Sequence, residues 1–253
     1  MLVTFTAYAG PPFPEREELF EGIRKEIALH KEIDSNFAEV YLAEIKNLHE
    51  HKNPEVDPSI EYVFVLSGRS SYLKEPIDIP NIKDPADDHN RMTLGIDIAK
   101  KVAANRSQKS TSTIDDIQKN GPQIIYNGTP KHNEALKRTL AQIDYPQHKL
   151  SIFELKSTEW NTRGQFKCLK RDSPLSHTSV AIVTHAYHFP RVARMIDSKW
   201  HPFGPNTKIF FYLVDRELKA PGVKEDLIGE IKRIPIYISQ GDLKTNISEN
   251  IHF

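Results

Sequence analysis

Among 253 residues there is a single cysteine, Cys168. One thiol cannot close an intramolecular disulfide, so a small secreted scaffold held by bridges is excluded and a reducing, cytoplasmic setting is expected. Net charge is missing too, since 34 Lys and Arg balance 34 Asp and Glu. A neutral chain exerts little long-range pull on polyanions, which argues against nucleic acid as a partner while leaving room for a local basic cleft. No apolar run approaches the roughly 20 residues of a membrane-spanning helix, so no membrane partner is expected. The opening Met1 to Phe5 lacks the basic segment of a signal peptide and soon meets Pro11, Pro12 and Pro14. Also lacking are a Gly-x-Gly-x-x-Gly turn, a P-loop and a nucleophile elbow, which argues against nicotinamide enzymes, P-loop phosphotransferases and α/β-hydrolases.

What is present reads as a folded globular chain, 38% hydrophobic and 27% charged. Apolar residues at helical spacing (Leu19, Phe20, Ile23, Ile27, then Phe37, Val40, Tyr41, Ile45, Leu48) predict two amphipathic helices over residues 15–33 and 35–51, with Asp34, Ser35 and Asn36 supplying the turn and N-cap. Beyond them, continuous apolar runs at Tyr62 to Leu66, Gln123 to Tyr126, Val180 to Val183 and Ile209 to Val214, with a weaker one at Leu150 to Glu154, predict strands buried on both faces. Helical stretches near 86–105, 131–143, 161–171, 188–200 and 223–232 alternate with these strands. That alternation predicts an α/β fold, a Rossmann-like open parallel sheet with helices on both faces. Residues 1–58 read as a helical extension packed on the α/β domain of residues 59–253. Segments 72–85 and 106–122 read as long loops, and Cys168 as a packing residue inside a helix.

In such a sheet ligands bind beyond the carboxyl ends of strands, so the residues after each apolar run are the candidates. After the first strand come Ser67, Gly68 and Arg69: a glycine for close backbone approach, a hydroxyl, and a guanidinium suited to phosphate or carboxylate. Asn127 and Gly128 precede Pro130, a residue suited to a first helical turn, and fit an anion-binding turn or a plain connection equally well. The most informative segment is Thr184-His185-Ala186-Tyr187-His188-Phe189-Pro190-Arg191. It leaves a buried strand and enters a helix, where His188 and Arg191 can share a face with an anion between them. Either histidine can move a proton near neutral pH, which makes His185, His188 and Arg191 the candidate catalytic residues. A metal bound by the two histidines needs further ligands that the neighbouring sequence does not supply, so no metal is expected.

The order of these motifs resembles the YdcF/SanA/ElyC-like family. The resemblance covers about residues 60–235: Val63 to Gly68 as strand and turn, Arg91 with Leu94 and Ala99 on a helix, Asn127 and Gly128 as the second turn, Glu134 near a helix start, Asn161-Thr162 as the Asn-Thr pair, and Val183-Thr184 to His188 and Arg191 as the strand-to-helix signature. Arg69 replaces a doubled glycine of that pattern, and Gln165 stands where the family often carries Asn. The resemblance implies a Rossmann-like domain and adds Arg91, Glu134, Asn161 and Thr162 to the ligand-binding set. It also brings S-adenosylmethionine into view as a cofactor, since one family member is associated with it. The expected function is binding of a small anionic, nucleotide-like ligand by an enzyme of that family whose reaction, transfer or hydrolysis, is unassigned, with a methyl-donor-dependent transferase and a non-catalytic interaction protein as alternatives. A homodimer through the N-terminal helices is compatible with all three.

Overall fold

The computed structural model describes residues 13–29, 33–50, 53–68, 87–140, 145–172, 175, 178–196, 198, 200, 202–204, 206–214 and 223–245. Among the described residues five strands carry the fold: β1 (Tyr62–Leu66), β2 (Gln123–Gly128), β3 (Leu150–Glu154), β4 (Ser179–His185) and β5 (Lys208–Val214). All pair in parallel, in the order β3-β2-β1-β4-β5. The chain therefore runs outward from β1 to one edge and then returns to β4 on its other side. That reversal between β1 and β4 opens a crevice at the carboxyl ends of the strands.

Helices cover both faces because the strand residues alternate between two apolar clusters. Phe64, Leu66, Ile125, Val180, Ile182, Ile209 and Phe211 join one cluster. Val63, Val65, Ile124, Tyr126, Ala181, Val183, Phe210 and Tyr212 join the other. The second face is closed by α3 (Asp87–Arg106), α4 (Ile114–Asn120) and α5 (Pro130–Leu140). The first is closed by α6 (Thr162–Asp172), α7 (Phe189–Ile196) and α8 (Val223–Ser239). Phe20, Ile23 and Ile27 of α1 (Phe13–Ile27) and Tyr41, Leu42 and Ile45 of α2 (Ser35–Glu50) are buried in that same first cluster. At roughly 1.5–3 kcal/mol for each large apolar side chain fully buried, these two helices are held as firmly as the rest of the core.

Local chemistry explains the helix starts. Asp34 Oδ1 accepts from the Asn36 amide at 2.9 Å, capping α2. Pro130 is the first residue of α5, where its missing N–H leaves nothing unpaired. The stretch 106–122, expected as a loop, contains α4 instead. Thr113 and Asp116 form a reciprocal capping box that stabilises this seven-residue helix without a long apolar periodicity to announce it. The other expected loop, 72–85, lies outside the described residues. Cys168 is buried within α6. Among the described residues no helix is long and apolar enough to cross a membrane.

Two packing details aim side chains at the crevice. A Cβ on Gly95 would lie 2.7 Å from Val65 Cγ2, so the glycine lets α3 press onto β1. Arg91, one turn earlier, is thereby seated over the end of that strand, where its Nη1 donates to Leu66 O at 3.0 Å. On the opposite face, Tyr41 of α2 donates to Tyr187 O at 2.6 Å, and Glu44 holds Arg194 of α7 through contacts of 2.6 and 3.0 Å. Helix α2 thus braces the turn that links β4 to α7.

A candidate anion pocket at the strand ends

At the carboxyl ends of β1, β2 and β4 lies a cavity of about 370 Å³. Its wall includes Ser67 and Gly68 after β1, Arg91 of α3, Thr129 and His132 at the start of α5, Asn161, Thr162 and Gln165 at the start of α6, and Tyr187, His188 and Arg191 leading into α7. Glu230, Arg233 and Tyr237 of α8 complete it, with Leu155 and Trp160 at one side.

Its chemistry centres on a chain of polar contacts. Arg191 grips Glu230 with two prongs, Nε to Oε2 at 2.6 Å and Nη2 to Oε1 at 2.9 Å. Its Nη1 donates to Thr162 Oγ1 at 2.9 Å. The same hydroxyl lies 3.1 Å from His188 Nε2, and His188 Nδ1 lies 3.1 Å from Thr184 Oγ1. Burial works against the Arg191 charge, but the carboxylate of Glu230 outweighs it and raises the guanidinium further above its ordinary value. Arg191 is therefore permanently charged, with Glu230 as its counter-charge. A guanidinium has five N–H donors, and three of Arg191's are engaged in these bonds.

Arg91 is 1% exposed and is fixed at a second point. Its Nε donates to His185 Nδ1 at 2.7 Å. A guanidinium can only donate, so that ring nitrogen must be an acceptor and the proton of His185 sits on Nε2. His185 is fully buried and is not part of the cavity wall. Its contact with the cavity is indirect, through Arg91. Tyr187 stacks on both of these histidine rings, at centroid distances of 5.4 and 6.4 Å.

Of the residues singled out from sequence, Ser67, Gly68, Arg91, Asn161, Thr162, His188 and Arg191 meet at this one cavity. Asn127, Gly128 and Thr184 are buried behind it. Asn127 Nδ2 donates to Gln165 O at 2.7 Å, which ties β2 to α6. Gly128 is needed for packing, since a Cβ there would come within 2.8 Å of both Asn133 Oδ1 and Tyr126 Cε1. Glu134 is exposed on α5, outside the cavity wall. Arg69 lies outside the described residues.

Sequence reasoning missed Thr129, His132, Trp160, Glu230, Arg233 and Tyr237. Thr129 Oγ1 is 2.8 Å from His132 Nδ1, a side-chain contact across the first turn of α5. A signal for the α8 group was present: Glu230, Arg233 and Tyr237 are three and four apart, one face of a helix. Pro235 inside α8 obscured it, because proline ordinarily ends a helix and here the helix continues to Ser239. Among the described residues no three His, Cys, Asp or Glu side chains gather as metal ligands.

No family model, curated protein or solved structure matches this chain.

Proposed function

We propose that the protein binds a small anionic ligand in the strand-end cavity. The observation that carries this reading is the charge of the wall: three guanidinium groups, of Arg91, Arg191 and Arg233, face one carboxylate, Glu230, among the described residues. Glu230 offsets Arg191, and Arg91 and Arg233 bring two further guanidinium groups to the same wall. Helix N-termini of α5, α6 and α7 surround the same space, and their oriented amides favour negative charge. Arg191 keeps two N–H donors beyond those given to Glu230 and Thr162, enough to meet an oxyanion.

The reading is one of binding first. Both ring nitrogens of His188 are occupied by threonine hydroxyls, and the wall hydroxyls that meet an imidazole are those of Thr129, 2.8 Å from His132 Nδ1, and Thr162, 3.1 Å from His188 Nε2. Kinship with the YdcF/SanA/ElyC-like family is part of the proposal, supported by the convergence of Ser67–Gly68, Asn161–Thr162 and His188–Arg191 on one cavity. S-adenosylmethionine enters as a ligand to test on that basis alone. A cytoplasmic setting accords with the lone, buried thiol.

A thermal-shift series with inorganic phosphate, ribose 5-phosphate, adenosine monophosphate and S-adenosylmethionine tests the reading. Phosphate-bearing compounds should raise the melting temperature of the wild type. Arg233→Ala, which removes a partly exposed side chain 3.4 Å from Glu230 Oε1, should fold and lose most of that rise. No rise with any anion would overturn the anion pocket.

A further inference from the structure

The cavity has a second pole that the arginines do not explain. Gln165, 4% exposed, belongs to its wall. Its Nε2 donates to Ser67 O at 3.1 Å. A backbone carbonyl can only accept, so the amide cannot be turned around without setting two oxygens against each other. Gln165 Oε1 is thereby fixed on the far side of the amide from β1, and it is buried with no hydrogen-bond partner among the described residues. Folded proteins leave few buried acceptors in this state, and those at a cavity wall are natural contacts for a ligand.

We infer that Gln165 Oε1 accepts a hydrogen bond from a hydroxyl of the ligand, so that the ligand is a phosphorylated sugar, free or as part of a nucleotide, and not a bare oxyanion. This rests on the anion-binding reading and extends it. The arginines of α3, α7 and α8 hold the phosphate. Gln165, on the first turn of α6, holds the sugar. Neutral hydrogen bonds of this kind set selectivity, because an analogue without the hydroxyl leaves the acceptor buried and unmet.

Calorimetric titration of the full chain separates the two layers. The wild type should bind ribose 5-phosphate about ten-fold more tightly than inorganic phosphate, as one ordinary hydrogen bond supplies. Tetrahydrofurfuryl phosphate, which keeps the ring and phosphate but lacks every hydroxyl, should bind no better than phosphate. Gln165→Met, checked for folding by circular dichroism, should bring the sugar phosphate down to the affinity of phosphate. Adenosine monophosphate binding more tightly than ribose 5-phosphate identifies the nucleotide form, and weaker binding identifies the free sugar phosphate. Equal binding of ribose 5-phosphate and its hydroxyl-free analogue overturns the Gln165 contact while leaving the anion pocket standing. Absence of binding by all four compounds overturns both.

Discussion

Arg191 and Glu230, 39 residues apart, form a two-pronged ion pair in which the Glu230 side chain is 1% exposed and the Arg191 side chain 10%. It joins α7 to α8 and forms part of the wall of the strand-end cavity. A pair so enclosed is favourable only while both members are present. Glu230→Gln should therefore destabilise the fold by about 3–5 kcal/mol, and Arg191→Met by a similar amount. The double variant should lose much less than both single losses combined. Urea denaturation of the four proteins measures this, and simple additivity would show that the two groups act independently.

Arg91 leans on His185, and the two should fail together. His185→Phe keeps the ring volume and its stacking on Tyr187 but removes the acceptor of the Arg91 Nε–H. A buried donor left unmet is expected to cost about 1–3 kcal/mol of stability. Phosphate affinity should fall as well, because the guanidinium loses one of its fixed points. Unchanged stability and unchanged affinity would mean that His185 does not position Arg91.

Gly128 is expected to resist substitution for steric reasons. A Cβ at that position meets Asn133 Oδ1, Tyr126 Cε1 and His132 Cβ at 2.8, 2.8 and 2.9 Å. Gly128→Ala should lower stability by about 1–3 kcal/mol through overpacking of the β2–α5 turn. The melting temperature reads this directly. A variant as stable as the wild type would show that the turn has room to relax.

The capping box of α4 should make stability sensitive to acid. Asp116 is held below the ordinary aspartate range by the Lys109 ammonium, then by the amide and hydroxyl of Thr113. A carboxyl depressed in the folded state stabilises fully above its unfolded value, about 4. That contribution fades as the pH falls towards the folded value. Asp116→Asn should flatten the acid side of the stability–pH curve relative to the wild type. Parallel curves would rule out this carboxylate as a source of the acid sensitivity.

The sheet was legible because five runs of apolar residues have no other economical explanation in a chain with this helix alternation. Tyr62 to Leu66 and Leu150 to Glu154 are strands over the same residues in the structure. Helix α4 was not legible, since seven residues with a polar capping box carry no hydrophobic stripe. The site was legible where it follows the strands, at Ser67, Gly68 and His188 to Arg191. It was not legible on α8, which contributes from a distant part of the chain and reaches the cavity only through the tertiary fold. Glu230 is the main consequence: read from sequence, Arg191 is an isolated positive charge, whereas in the fold it is half of a buried pair. The roles of His185 and Gly128 changed for a similar reason. Both lie at strand ends, but one supports an arginine from behind and the other makes room for a helix.

The central claim is that the guanidiniums of Arg91, Arg191 and Arg233 hold an oxyanion at the crevice between β1 and β4. A crystal structure of the protein soaked with ribose 5-phosphate tests it most directly. The expected result is phosphate density in the cavity with oxygens about 2.7–2.9 Å from at least two of the three guanidinium groups. An empty cavity at saturating ligand, or a phosphate bound elsewhere on the molecule, would contradict it.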